Sequence, residues 1–447
     1  MTGSVTTRRK PVPNAMPDRP AALAATLRAA PRPVALECAM QHYGWGDPAF
    51  IPALLGQPNP AGEPCAELWI GAHHDLPSVA RDGEQRAPLD LLIEAAPDLL
   101  GRRPRARFGD TLPFLLKVLS ARQPLSIQVH PDQAQARTGF EREQRAGIPQ
   151  GAPSRSYRDR NHKPELLVAL TDFFALRGFR PLDEIHAILA ATPELAGLAA
   201  GAPADAEALA ALYQRLMRLP QPRVDALLDP LLSRLRAEQP PGGFAEDDYR
   251  CWLLHADALY SVGGHRDRGL FGMLLLNLIH LRPGQGIFLP AGELHSYLRG
   301  SGLELMANSN NVLRGGLTPK HIDVEALLDV VRVDPAPAAI IEPVRRDDGR
   351  WYYPTPAPEF VLQAVGIDRG ECRPLSTAGN DEGLMLGLVL EGAARIETPD
   401  GAGLTAGRGR AFMLPAATET RARALTDTTL YLASVPDRDR AVRTARP

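Results

Sequence analysis

From Val34 to about Arg180 the apolar positions fall in short runs separated by Gly, Pro and Asp clusters, a rhythm that predicts mostly β structure. Between Pro181 and about His255 the period changes. Leu209, Leu212, Leu216 and Leu219, then Val224, Leu227, Leu228, Leu231, Leu232 and Leu235, recur at helical spacing and predict a helical insert. Pro193, Pro203, Pro220, Pro222, Pro240 and Pro241 punctuate it, and Asp183 is placed to cap its first helix. β character returns after about Gly284 with Gly286–Gly292, a strand running into a turn. From about Pro343 strand-like runs recur at short intervals (359–365, 384–390, 429–433), the rhythm of a sandwich or jelly roll. The fold class expected is mainly β with a helical insert: two jelly-roll β modules plus an α-helical domain. The expected domains are a first β module of residues 34–180 and 270–342, the insert at 181–269 and a C-terminal jelly roll at 343–447.

Residues 1–33 are rich in Pro, Arg and Ala without the apolar centre of a secretory signal, and are expected to be a disordered tail. An organelle transit peptide is the rival reading, but the repeated prolines would break its amphipathic helix. A chain of 447 residues can hold several sizeable cores, and a formal net charge of −2 gives no electrostatic case for nucleic acid or an anionic membrane. The longest apolar run, 272–280, is too short and too polar to span a bilayer. Cys38, Cys65, Cys251 and Cys372 lie far apart with no Cys-x-x-Cys pair, which argues against a cysteine zinc site or a disulfide framework and fits a cytoplasmic, reducing location.

The chemistry starts with Gln128 and His130. Two residues apart in a strand-like segment, they point to one face, and Pro131 should end the pairing just beyond them, leaving both at a strand end. Glu165 and His295 are two more possible ligands. Two imidazoles, a carboxylate and an amide oxygen suit zinc with a position left open for water or substrate. An isolated Gln-x-His is more often a surface glutamine beside a satisfied strand histidine, so spacing alone leaves both readings standing. All eleven histidines lie at or before His321, which assigns any imidazole chemistry to the first module.

Several strings then occur together and in order: Gln41-His42-Tyr43-Gly44-Trp45-Gly46, Glu67-Leu68-Trp69-Ile70-Gly71, Pro113–Leu119 around Lys117, Leu125–Asp132, Asn161-His162-Lys163-Pro164-Glu165, Gly178-Phe179-Arg180-Pro181, and the long run Gly302–Lys320. In these, roughly residues 34 to 330, the chain resembles the type I phosphomannose isomerases. The resemblance implies a cupin-like fold for both β modules and one Zn²⁺ per chain held by Gln128, His130, Glu165 and His295. It implies interconversion of mannose 6-phosphate and fructose 6-phosphate through an enediol. Lys163 is the implied proton-transfer residue, Glu304 the competing base, His162 a candidate for ring opening and Arg314 a catalytic cation. Lys117, Ser126, Tyr297, Asn310 and Lys320 are expected to bind substrate. The partner is then a small sugar phosphate, with no nucleic acid or membrane, and a monomer is expected.

Two departures stand out. Many members read Ser-Asp-Asn-Val where this chain has Ser309-Asn310-Asn311-Val312, so a carboxylate four residues before Arg314 is replaced by an amide that can hydrogen-bond but cannot carry a proton at neutral pH. Gly284-Gln285-Gly286 replaces the usual Gly-Glu-Ala and is expected to be structural. Trp45, Trp69 and Glu67 read as core and sheet residues outside the site. The rival functions are isomerisation of another phosphorylated aldose and sugar-phosphate binding without turnover.

Overall fold

The computed structural model describes residues 20–199, 203–377 and 383–437. Its organising element is the thirteen-residue strand His295–Ala307, central to a ten-stranded sheet. The first part of this strand pairs with Phe173–Phe179 and Ile127–Val129, and the second part with Phe114–Ala121 and Glu165–Ala169. The change of partners coincides with a register shift between Tyr297 and Arg299, beside Gly300. Gly300 has φ of 129°, and a Cβ there would lie 2.6 Å from the carbonyl oxygen of Asp172, so no other residue fits the bend. One strand thereby delivers His295 at one end and Glu304 nine residues later.

A nine-stranded sheet packs against this one. It contains the C-terminal strands Val361–Ile367, Met385–Glu391, Ala411–Leu414 and Thr428–Ser434, matching the predicted β rhythm of that region. It also takes in Val34–Glu37, Val79–Asp82 and Gln85–Pro88, with Leu36 opposite Ala411, so hydrogen-bonded pairing bridges the expected module boundary near residue 343. Leu166, Leu303 and Leu305 from one sheet share a core with Leu362, Leu386 and Met413 from the other. Such burial of apolar side chains, roughly 1.5–3 kcal/mol each, fastens the two together.

The helical insert follows its periodicity. Ala206–Met217 buries Leu209, Leu212 and Leu216, and Gln221–Glu238 buries Val224, Leu228, Leu231, Leu232 and Leu235. Asp183 does not cap the first helix. Pro181 holds the cap position of Leu182–Ala190 and Asp183 lies inside the first turn, where a carboxylate complements the helix dipole instead. The side chains that do cap are Asp205, bonded to the Ala208 amide, and Asp248, bonded to that of Arg250.

The expectation of disorder through residue 33 is corrected over its described part. Pro20–Ala29 is a helix that buries Leu23, Ala24 and Leu27, while Arg28 pairs with Asp98 at 3.3 Å. The apolar pattern at 23, 24 and 27 is a helical face that the surrounding Pro and Arg residues obscured. Residues 1–19 lie outside the described residues.

Candidate active site

Ile127–Val129 ends one residue before His130, and Pro131 follows. Asp132 then caps Gln133–Arg145, accepting from the amides of Ala134 and Gln135, with Gln135 returning a bond to the Asp132 amide. This capping box fixes the chain just beyond His130. In the sheet, Gln128 lies directly opposite both His295 and Arg314, on the two neighbouring strands. Glu165 opens its own strand, opposite Met306.

His130, Glu165 and His295 are all buried, and their ligand atoms lie within 4.8 Å of one another. Nδ1 of His130 is 2.7 Å from the Asn311 carbonyl oxygen, and Nδ1 of His295 is 3.0 Å from that of Glu293. A carbonyl only accepts, so both Nδ1 atoms carry the proton and both Nε2 atoms present lone pairs. Those lone pairs face Glu165: His130 Nε2 is 3.4 Å from Oε1 and His295 Nε2 is 3.4 Å from Oε2. His130 Nε2 is buried without a hydrogen-bond partner among the described residues. Two acceptors, one turned toward each arm of a single carboxylate, form an arrangement that a cation resolves, and the N, N, O donor set fits zinc.

Electrostatics agree. Burial pushes the His130 imidazole down to about 4. Burial alone would raise Glu165, but the Lys163 ammonium, 3.0 Å from Oε1, and the His130 imidazole hold it well below the usual carboxylate range. Both ligands are therefore in their metal-binding protonation states at neutral pH. His73 is pushed down to about 4 in the same way, again chiefly by burial. Between about pH 6.5 and 4 the unfolded chain takes up protons that these two folded-state histidines refuse, so their contribution to the stability of the metal-free protein is lost as pH falls through that window and levels off below it. For His130 the loss is about 3 kcal/mol, from about 1.4 kcal/mol per pH unit. Denaturant unfolding of the apoprotein at pH 7, 5.5 and 4 measures it.

Beside the ligands opens a cavity of about 270 Å³, near the small end of ligand-sized pockets, roughly 300 Å³. Its lining includes Gln128 and Glu165 and the predicted residues Lys117, Ser126, Lys163, Tyr297, Glu304, Arg314 and Lys320. Lys117 lies opposite Glu304 across one strand pair and opposite Trp69 across the next. Its ammonium is 2.8 Å from Glu304 and 3.6 Å from Glu67, and stands over the Trp69 ring at 5.2 Å. Burial opposes its charge, yet Glu304 and Glu67 raise its pKa, so Lys117 is a fixed cation and not a base.

The other wall carries Arg314 and Lys320, which make no ion pair among the described residues. Burial lowers the pKa of each, and the nearby Arg158 guanidinium adds to both shifts. Uncompensated cations brought together on one wall of a cavity are the mark of an anion site. The segment between them is braced from the helical insert: Asp267 Oδ1 accepts from the amides of Gly269 and Leu317 at 2.7 and 2.8 Å. Gly316 allows this contact, since a Cβ there would lie 2.3 Å from the Gly269 Cα.

Two predicted residues stand elsewhere. His162 does not line the cavity but bonds Glu359 at 2.7 Å, and Asn310 donates to Asp75 at 2.9 Å while its amide N–H donates to Asp159. Three features were missed. Glu67 and Trp45 line the cavity although the sequence placed them in the core, and Arg158, outside the lining, is close enough to Arg314 and Lys320 to act on both charges. Glu67 accepts from the Trp69 indole N–H at 2.7 Å, and its place at the cavity follows from cross-strand pairing that the sequence does not name. Arg158 carried no signal in the sequence.

The geometry has close counterparts. Residues 34–182 match the family model described as phosphomannose isomerase type I, catalytic domain. Mannose-6-phosphate isomerase of Escherichia coli is 40% identical over 331 residues, spanning 72% of this chain and 81% of that one, and the Homo sapiens enzyme is 33% identical over 397 residues, spanning 83% and 90%. A solved mannose 6-phosphate isomerase with zinc bound superposes with a TM-score of 0.80 at 31% identity, covering 91% of this chain and all of that one. With the ligand constellation, the cavity and these relationships in agreement, the chain belongs to the type I phosphomannose isomerases.

Proposed function

We infer that this chain is a zinc-dependent aldose–ketose isomerase that interconverts mannose 6-phosphate and fructose 6-phosphate. The observation that carries this reading is the pair of imidazole lone pairs aimed at one buried carboxylate, beside a cavity with an uncompensated cationic wall. His130, Glu165 and His295, with the Gln128 amide, would hold one zinc ion, which supplies a Lewis acid for the sugar oxygens at C1 and C2.

The protein's own groups divide the remaining work. Arg314 and Lys320, with Ser126, hold the phosphate dianion, Arg314 through its planar fork and Lys320 as a compact charge. Glu304 takes the C2 proton of the open-chain aldose and returns it to C1, while the hydroxyl proton of O2 passes to O1, so atoms and charge balance across the enediol. Lys117, 2.8 Å from Glu304, holds its carboxylate in place. Lys163, 3.0 Å from Glu165, acts as an ammonium that stabilises charge developing on the sugar oxygens. This assigns the base to Glu304 and a cationic role to Lys163. The same reading takes the two sheet systems as cupin-like jelly rolls with a helical domain at 181–269, and the chain as a cytoplasmic monomer, in keeping with its free cysteines.

The metal and the cations recognise C1, C2 and a remote phosphate more firmly than they recognise hydroxyl stereochemistry. Initial rates against mannose 6-phosphate and its phosphorylated aldose epimers test the substrate directly. The expected result is a preference for mannose 6-phosphate in kcat/KM; equal or better rates with an epimer would transfer the activity to that sugar.

A further inference from the structure

The histidine-free C-terminal module sends one carboxylate to the segment that carries Lys163 and Glu165. Oε1 of Glu359 is 2.7 Å from His162 Nε2, while Oε2 is buried with no hydrogen-bond partner among the described residues. The Glu359 side chain is only 10% exposed. A half-satisfied buried carboxylate is costly, typically about 1–3 kcal/mol for each unmade bond, and calls for an explanation.

Both ends of the contact are rigidly mounted. Glu359 follows Pro354, Pro356 and Pro358, each with φ fixed by its ring. Phe360, next in the chain, is fully buried in the core shared by the two large sheets, and Arg107 donates to the Pro358 carbonyl at 3.0 Å. On the other side, the Asn161 carbonyl accepts from Ser309 Oγ at 3.1 Å and Asn311 Nδ2 at 2.8 Å, and the Pro164 carbonyl accepts from the Ala307 amide at 3.0 Å. Pro164 also restricts Lys163 to extended backbone. The main chain around His162 is thus tied to the catalytic sheet and its side chain to the opposite module. A neutral His162 bonded to a carboxylate must carry its proton on Nε2, so the contact fixes tautomer and ring orientation together.

We propose that Glu359 is a positioning residue for the isomerisation: its carboxylate clamps His162 across the module interface and thereby holds the adjacent Lys163 ammonium in its working place at the cavity wall. The C-terminal module then takes part in catalysis without supplying a ligand to the metal or a group to the cavity. The proposal rests on the isomerase reading above, and the rate of the unsubstituted enzyme tests that reading separately.

The experiment compares zinc-loaded wild type, Glu359→Ala, Glu359→Gln, His162→Ala and the Glu359→Ala/His162→Ala double variant, with kcat, KM for mannose 6-phosphate, zinc content and unfolding midpoint measured for each. Misplacement of a reacting group by about 1 Å can cost about 10²-fold. Glu359→Ala is therefore expected to lose about 10- to 100-fold in kcat with KM and zinc content unchanged. Glu359→Gln, which keeps an oxygen to accept from Nε2, recovers most of the rate, and the double variant is no slower than His162→Ala alone. A kcat within twofold of wild type in Glu359→Ala, additive losses in the double variant, or a loss that tracks zinc content or unfolding would overturn the proposal. Absence of activity in zinc-loaded wild type would instead strike the isomerase reading.

Discussion

Glu304→Gln lowers kcat by about 10³-fold, within the range of roughly 10²–10⁴ for loss of a general base, while zinc stays bound and KM for mannose 6-phosphate changes little. The amide keeps the shape of the carboxylate but cannot accept the C2 proton. The substitution also leaves the buried Lys117 ammonium with Glu67 at 3.6 Å as its remaining close carboxylate, so some stability is lost as well. Assaying at a temperature well below the unfolding midpoint separates that effect from the chemical one. Lys163 provides the counter-test. If it acts as a cation, Lys163→Arg retains clearly more activity than Lys163→Met; if it is the base, both are equally inactive and Glu304→Gln is the milder change. Exchange of the C2 hydrogen with labelled solvent reads the same step directly, and Glu304→Gln should suppress it together with turnover.

Glu165→Gln removes the charge on which both imidazole lone pairs converge, and it is expected to abolish stoichiometric zinc binding and reduce activity by at least about 10³-fold. The neutral amide offers a weaker oxygen donor to a divalent cation, and it leaves Lys163 without its partner at 3.0 Å. Metal analysis after dialysis, alongside the rate, checks this outcome. Retention of one tightly held zinc per chain in the variant would mean that the ion is bound elsewhere.

Much of the site was readable because its geometry is local or periodic. The period of two singled out Gln128 and His130, although the paired strand stops at Val129, one residue earlier than Pro131 led us to expect, so His130 follows the strand instead of ending it. The insert was legible for a similar reason, since Leu209, Leu212 and Leu216 repeat at the helical period and bury together. What stayed hidden depended on distant chain segments meeting. Glu67 reads as a strand residue until cross-strand pairing sets Trp69 beside Lys117 and brings the Glu67 carboxylate to the ammonium. Glu359 lies 197 residues from His162, on a loop whose sequence names no function. The pairing of Val34–Glu37 with Ala411–Leu414 was equally unreadable, because strand propensity does not name a partner. The Pro20–Ala29 helix was masked by composition, with a short apolar face inside a Pro- and Arg-rich stretch.

The most direct test is the initial rate of fructose 6-phosphate formation from mannose 6-phosphate by the purified chain, before chelation, after chelation and after zinc is restored. Activity that disappears with the metal and returns with one equivalent of zinc per chain is the predicted result. A rate that survives complete removal of zinc, or no rate in the fully loaded protein, would contradict the account.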